Sequence, residues 1–159
     1  MTEKEKKLHE IDELLATAEA AGLEGLDFLA GFTRDQLADG YNGIGPEFLK
    51  PRVRAAVSEF LAIFAPAALG HDLRNELSDG TRKSFHAAND EFRRNCLKLA
   101  EHHYAADRRR LRRAKMAAEI LHTFVETEII GWRAWLEAKE RHAKKLASGD
   151  SVWTRKMKN

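Results

Sequence analysis

Two helical patterns meet at the break Ser78-Asp79-Gly80-Thr81, and this break constrains the fold more than any other feature of the chain. Its residues favour turns and the left-handed backbone region. On both sides, apolar residues recur three and four positions apart, which predicts helices. Helices joined by so short a break form an antiparallel hairpin, in which positions whose numbers sum to about 161 should face each other.

An amphipathic pattern at the start of the chain predicts a helix from about Glu3 to Ala21, ended by Gly22. Residues 22–46 contain six of the ten glycines, which predicts a loop broken by short helices. Within that loop, Thr33 and Gln36 have the spacing of a capping box at the start of a helical turn.

Further helices are predicted around the hairpin. A helix from Glu47 should tolerate Pro51 in its first turn, whereas Pro66 should kink it or start a new helix. The helix after the break should bury Phe85, Phe92, Cys96 and Leu99. The predicted ranges after the break are about 82–102, 109–122 and 126–146. The pattern leaves open whether the second of these helices continues the first.

The sequence shows no strand-like alternation, so the predicted fold class is all-α. We expect one domain over residues 1–147, followed by a basic, flexible tail over 148–159. Hydrophobic residues make up 43% of the chain and charged residues 33%, as in globular proteins. The lone Cys96 excludes a disulfide within the chain, which favours a reducing compartment and a core role for this residue.

The charged N-terminus does not resemble a signal peptide. No apolar run approaches the roughly 18 residues of a membrane span. We therefore expect the protein to be cytoplasmic as it is made.

Polar residues with chemical potential cluster in the predicted hairpin. The hairpin register sets His71 beside Asp90, and Asn75 beside His86 as a supporting layer. A carboxylate next to an imidazole fixes its tautomer and supports it as a general base. The same residues also suit a satisfied polar network that only fixes helix register, and the spacing leaves both interpretations open.

A glycine turn, Tyr41-Asn42-Gly43-Ile44-Gly45-Pro46, precedes the hairpin. Its glycines permit backbone conformations that direct carbonyls or amides to one point. Calcium prefers oxygen ligands, including backbone carbonyls and carboxylates. The turn and Asp72 therefore predict a minimal calcium site, although a lone Gly-x-Gly is usually just a turn.

Residues 41–96 resemble the secreted phospholipase A2 superfamily, most closely its cysteine-poor viral and bacterial branches. The resemblance rests on the glycine turn, on Ala68-x-x-His71-Asp72, and on the segment Asn89-Asp90-Glu91-Phe92. It implies a phospholipase A2-like helical hairpin with extra helices at both ends of the chain. A viral or phage origin would fit this resemblance.

The resemblance also implies a reaction, the calcium-dependent hydrolysis of a phospholipid acyl ester. In that family the histidine draws a proton from water, and a carboxylate on the facing helix orients it, which gives these roles to His71 and Asp90. The implied Ca²⁺ ligands are Asp72 and the carbonyls of Tyr41, Gly43 and Gly45. Asn75 stands where the family often has a tyrosine.

The run 107–115 carries six positive charges in nine residues. It predicts either a docking surface for a phospholipid membrane or a solvated helix face. In the alternative to an enzyme, a catalytically silent scaffold binds a protein partner or an anionic surface here. The lack of a base-stacking aromatic pattern argues against nucleic acid as the partner. The surface residues are Arg108, Arg109, Arg110, Arg112, Arg113 and Lys115.

Overall fold

The computed structural model describes residues 1–44 and 49–149, and within these ranges the chain forms seven α-helices and no strand. The predicted all-α class is therefore confirmed. Short 3₁₀ turns lie at Asp27–Gly31 and Ser58–Phe60, and a π-helical turn lies at Glu128–Trp132. The helices are α1 (Glu3–Ala20), α2 (Arg34–Gly40), α3 (Pro51–Val57), α4 (Leu61–Glu76), α5 (Arg82–Tyr104), α6 (Arg108–Val125) and α7 (Arg133–Ala147).

The N-terminal helices begin and end where the sequence predicts. The Thr33 hydroxyl accepts the Gln36 N–H, and the Gln36 side chain accepts the Thr33 N–H, so the capping box is confirmed. Helix α1 ends just before Gly22, whose φ of 63° lies in the left-handed region. The predicted end of the first helix is therefore also confirmed.

The hairpin of α4 and α5 forms the centre of the fold. Its turn is held by Asp79, whose carboxylate accepts hydrogen bonds from the Thr81 N–H and the Ser84 hydroxyl. Helix α6 folds back on α5, while α7 packs on α4 and α3 packs on α6. The core between these helices contains the buried side chains of Phe64, Phe92, Cys96, Leu99 and Leu121, whereas Leu73 packs with the N-terminal helices.

The helices around Pro66 and Glu126 differ in part from the prediction. Of the two alternatives at Pro66, the start of a new helix is wrong, because Pro66 lies inside α4 and the helix break comes earlier, at Ser58–Phe60. The last α-helix begins at Arg133 rather than at Glu126, because a π-helical turn precedes it. The predicted start at Glu47 and the tail over 150–159 lie outside the described residues, and α3 begins with Pro51.

Contrary to the expectation from the sequence, the segment Pro51–Glu76 is long and apolar enough to cross a membrane by length and composition, with a mean hydropathy of 1.5 over an 18-residue window. It comprises α3, the 3₁₀ turn and α4. Phe60, Phe64 and Leu73 in this segment are all buried against other helices. The core helix of a bundle passes the same composition test, and this burial gives the apolar residues a role inside the fold.

Glycine is required at position 131 of the π-helical turn. The N–H groups of Gly131 and Trp132 both donate to the Thr127 carbonyl. A Cβ at position 131 would collide with the carbonyl oxygen of Val125, at the end of α6. The turn can therefore lie this close to α6 only because residue 131 has no side chain.

We predict that Gly131→Ala lowers the free energy of unfolding by about 2–3 kcal/mol, because the added methyl group forces the turn away from α6. Urea denaturation measures this loss. The control is Ala143→Gly at an exposed position of α7, which should cost about 1 kcal/mol through helix propensity alone. Equal losses in the two variants would contradict the close approach.

Candidate functional site

A cavity of about 500 Å³ lies between α4, α5, α6 and the π-helical turn. Its polar lining includes His71, Asp72, Asn75 and Asn89, which lie on the hairpin. Most of the wall is apolar, and Ile129 on the rim is 81% exposed. A concave apolar cavity with a few converging polar groups is the usual form of a small-molecule site. Apolar wall residues include Ile44, Leu49, Phe85, Phe92, Phe124 and Ile130.

His71 is held in this wall by Asn89. The His71 Nε2 atom lies 2.8 Å from Asn89 Oδ1, and the Asn89 amide nitrogen donates to the Val125 carbonyl at 3.4 Å. Because the amide nitrogen is directed to a carbonyl, the amide oxygen faces the imidazole. The His71 Nε2 atom must then carry the proton, which leaves Nδ1 as the basic nitrogen.

The environment of His71 favours the neutral imidazole. Burial lowers the pKa of His71 below its usual range, although the hydrogen bond to Asn89 opposes this effect. The ring also packs against Phe92, with 4.9 Å between the ring centroids. Within the described residues, Nδ1 makes no hydrogen bond. A neutral imidazole with a free basic nitrogen can accept a proton.

The predicted pair of His71 and Asp90 is wrong by one residue. Adjacent residues on a helix point about 100° apart, so Asp90 faces away from α4 when Asn89 faces it. The Asp90 side chain is 59% exposed, and its Oδ1 atom lies 3.3 Å from His122 Nε2 on α6. The predicted position along α5 of the residue opposite His71 is therefore off by only one residue. The predicted face of α5 is wrong.

A sequence signal for Asn89 does exist. The buried face of α5 follows a strict pattern of four and three residues, and position 89 continues it between two phenylalanines. Asp90 interrupts that pattern. The buried stripe consists of Phe85, Asn89, Phe92, Cys96 and Leu99.

The predicted pair of Asn75 and His86 is also wrong. His86 is exposed, and its Nδ1 atom lies 2.7 Å from Oε2 of Glu126, the residue that caps the end of α6. Asn75 instead lines the cavity, where its side chain is partly buried. The helix face again explains the difference, because His86 lies one residue beyond the buried stripe and turns towards α6.

Asp72 binds the glycine turn through backbone amides. Its Oδ2 atom accepts the N–H groups of Asn42 at 2.8 Å and Gly43 at 2.9 Å. Burial raises the pKa of Asp72 to about 7, and these two hydrogen bonds oppose that rise. Asp72 makes no ion pair with a described residue, so its charge lacks a compensating cation.

The calcium expectation fits this arrangement in part. A desolvated carboxylate without a cationic partner suits a bound cation, and Asp72 Oδ1 is not used by the turn. However, the turn directs amides rather than carbonyls at the carboxylate, and calcium takes oxygen ligands. Within 1–44 and 49–149, no group of three or more His, Cys, Asp and Glu side chains is placed to hold a metal ion.

The other predicted ligands are backbone carbonyls of the glycine turn. Gly43 lines it and has a φ of 72°, a backbone geometry that favours glycine. The Tyr41 side chain lies on the other side of the turn, in a separate depression beside α1. Burial raises the pKa of Tyr41 to about 12, so its phenol stays protonated. Gly45 lies outside the described residues.

The six predicted surface residues lie in the first half of α6, away from the cavity. Arg110 and Arg113 are directed to Glu59, and Lys115 pairs with Glu101. Arg108, Arg109 and Arg112 are exposed and make no ion pair with a described residue. Half of the basic run is thus neutralised locally.

In comparisons with known proteins, no family model, no curated protein and no solved structure matches this chain.

We predict that Asn89→Asp raises the pKa of His71 by about 1–2 pH units, because it places a carboxylate beside Nε2. An NMR titration of the His71 ring protons measures the pKa. Asp90→Asn is the matched control and should change the value little, because Asp90 faces His122. A larger effect from Asp90→Asn would restore Asp90 as the partner of His71.

We predict that Asp72→Asn stabilises the protein at pH 8 and not at pH 4. Because the pKa rises from 3.8 to about 7 on folding, ionisation of Asp72 opposes folding increasingly between these values. The amide keeps an oxygen for the two N–H groups and carries no charge, so the gain at pH 8 should reach at most about 4 kcal/mol. Thermal unfolding at both pH values measures it. A loss of stability at pH 8 would show that the charged hydrogen bonds outweigh desolvation.

Proposed function

We propose that this protein hydrolyses the acyl ester of a phospholipid, with His71 as the general base. The observation that carries this proposal is the His71–Asn89 contact at the wall of the apolar cavity. It leaves a neutral imidazole with its Nδ1 atom unbonded among the described residues. The sequence resemblance of residues 41–96 to secreted phospholipases A2 supports the same reaction.

In the proposed reaction, His71 Nδ1 takes a proton from a water molecule as the water oxygen attacks the ester carbonyl carbon. The resulting tetrahedral intermediate collapses with cleavage of the carbon–oxygen ester bond. The imidazolium returns its proton to the departing oxygen, so the products are a fatty acid and an alcohol. Asn89 accepts the Nε2–H throughout and keeps Nδ1 directed at the reacting water.

Asp72 is the proposed calcium carboxylate, together with backbone oxygens of the glycine turn. When bound, the cation would supply positive charge near the ester oxygen, where negative charge develops. The uncompensated charge of Asp72 supports this role. Its raised pKa implies that cation binding strengthens as the pH rises through about 7.

A second candidate function is a catalytically silent scaffold that binds an apolar ligand or a partner. The observation that favours it is the identity of residue 89. An amide orients the imidazole, but it stabilises the imidazolium less than a carboxylate does. Such a protein would bind lipid in the cavity without turning it over.

An assay that measures the fatty acid released from mixed phospholipid vesicles in the presence of calcium tests the enzymatic proposal. His71→Ala and Asp72→Asn should each lower turnover at least about a hundredfold, since each removes a catalytic term of that order. His102→Ala, at an exposed position of α5, is the control and should retain full activity. Thermal unfolding shows whether each variant is folded.

Two results would contradict the enzymatic proposal. Turnover near the wild-type level in His71→Ala would show that His71 is not the general base. Absence of turnover in the wild type, with saturable lipid binding and no calcium binding by calorimetry, would favour the silent scaffold.

A further inference from the structure

The beginning of α6 carries more positive charge than helix physics favours. Arg108, Arg109 and Arg110 occupy its first turn, and no acidic residue follows the Asp107 cap there. The N-terminus of a helix carries partial positive charge, so cations in the first turn are unfavourable. The chain therefore keeps these arginines at a cost to the stability of α6.

Carboxylates neutralise only part of this charge. Glu59 lies beside Arg110 and Arg113, at 3.8 Å and 2.6 Å, and Glu101 lies 2.6 Å from Lys115. Arg108, Arg109 and Arg112 are exposed, and no described carboxylate pairs with them. These three side chains are available to an external anion.

The fold brings a second basic segment next to α6. Helix α3 packs on α6, and Glu59, just after α3, anchors the start of α6. Lys50, Arg52 and Arg54 in and before α3 are exposed and likewise lack an ion pair among the described residues. These two segments together form the basic face: Lys50, Arg52, Arg54, Arg108, Arg109 and Arg112.

The basic face reaches the cavity at Leu49. The Arg54 guanidinium donates to the Leu49 carbonyl at 3.3 Å, and the Leu49 side chain is buried in the cavity wall. Cationic side chains thus extend from the cavity wall along α3 towards the start of α6. A charged face that leads to an apolar cavity suits a surface with anionic groups above apolar chains.

We infer that the basic face docks the protein on membranes rich in anionic phospholipids. This inference rests on the proposed function, because it assigns the lipid surface that the cavity would draw from. Lipid fits better than nucleic acid, because the basic face leads to an apolar cavity at Leu49, which suits acyl chains and not bases. The anionic headgroups neutralise the charge of the unpaired arginines, and the acyl chains of the same lipids suit the adjacent apolar cavity.

Vesicle cosedimentation in EDTA tests docking separately from hydrolysis. The wild-type protein should bind vesicles containing one third phosphatidylglycerol far more tightly than pure phosphatidylcholine vesicles, and salt should weaken this binding. The triple variant Arg108→Glu, Arg109→Glu and Arg112→Glu should bind the anionic vesicles at least about a hundredfold more weakly, at roughly fivefold per residue. The substitutions at 108 and 109 complement the helix dipole in the first turn, and Arg112 is exposed, so this variant should fold.

The matched control reverses three exposed lysines elsewhere, in Lys83→Glu, Lys139→Glu and Lys144→Glu, with the same change in net charge. It should bind within about threefold of the wild type, since these lysines lie outside the basic face. Equal losses of vesicle affinity in both triple variants, or no loss in the arginine variant, would show that the basic face is not the docking surface. Tighter binding to duplex DNA than to anionic vesicles would overturn the choice of lipid. Docking without hydrolysis would leave the inference standing and count against the enzymatic proposal alone.

Discussion

The amide of Asn89 is the polar contact on which the arrangement of the site depends. It lies on the buried face of α5, where an unpaired amide would cost free energy, and it finds partners on two other helices. One partner is His71 on α4, and the other is the backbone carbonyl of Val125, the last residue of α6. These contacts fix three helices relative to one another and also decide which imidazole nitrogen is basic. The geometry of the bundle and the protonation state of the candidate base therefore have a common origin.

The sequence predicts the helices well and the facing residues poorly, for a physical reason. Periodicity, caps and the Asp79-Gly80 turn depend on neighbours in the chain, and they correctly indicate the hairpin. Which side chain meets His71 depends on the rotation of α5 about its axis. An error of one residue rotates the assignment by about 100°, which replaces a buried amide by an exposed carboxylate. The apolar stripe through Phe85 and Phe92 carries the information needed to choose Asn89.

The glycine turn shows a second limit of sequence-based prediction. Its residue types predict unusual backbone geometry, and Gly43 has it. They do not determine whether carbonyls or amides face Asp72, because rotation of one peptide plane exchanges the two. The structure directs two amides at the carboxylate. The π-helical turn at Glu128–Trp132 is likewise beyond periodicity, because it depends on the approach of Gly131 to the end of α6.

Cys96 gives the bundle a consequence of its own. Its thiol is buried in the stripe of α5, and burial raises its pKa well above the usual range. A thiol reagent can reach it only when α5 separates from its neighbours, and reaction requires the thiolate. The rate at which the Cys96 sulfur is alkylated therefore measures how often the helices around it separate.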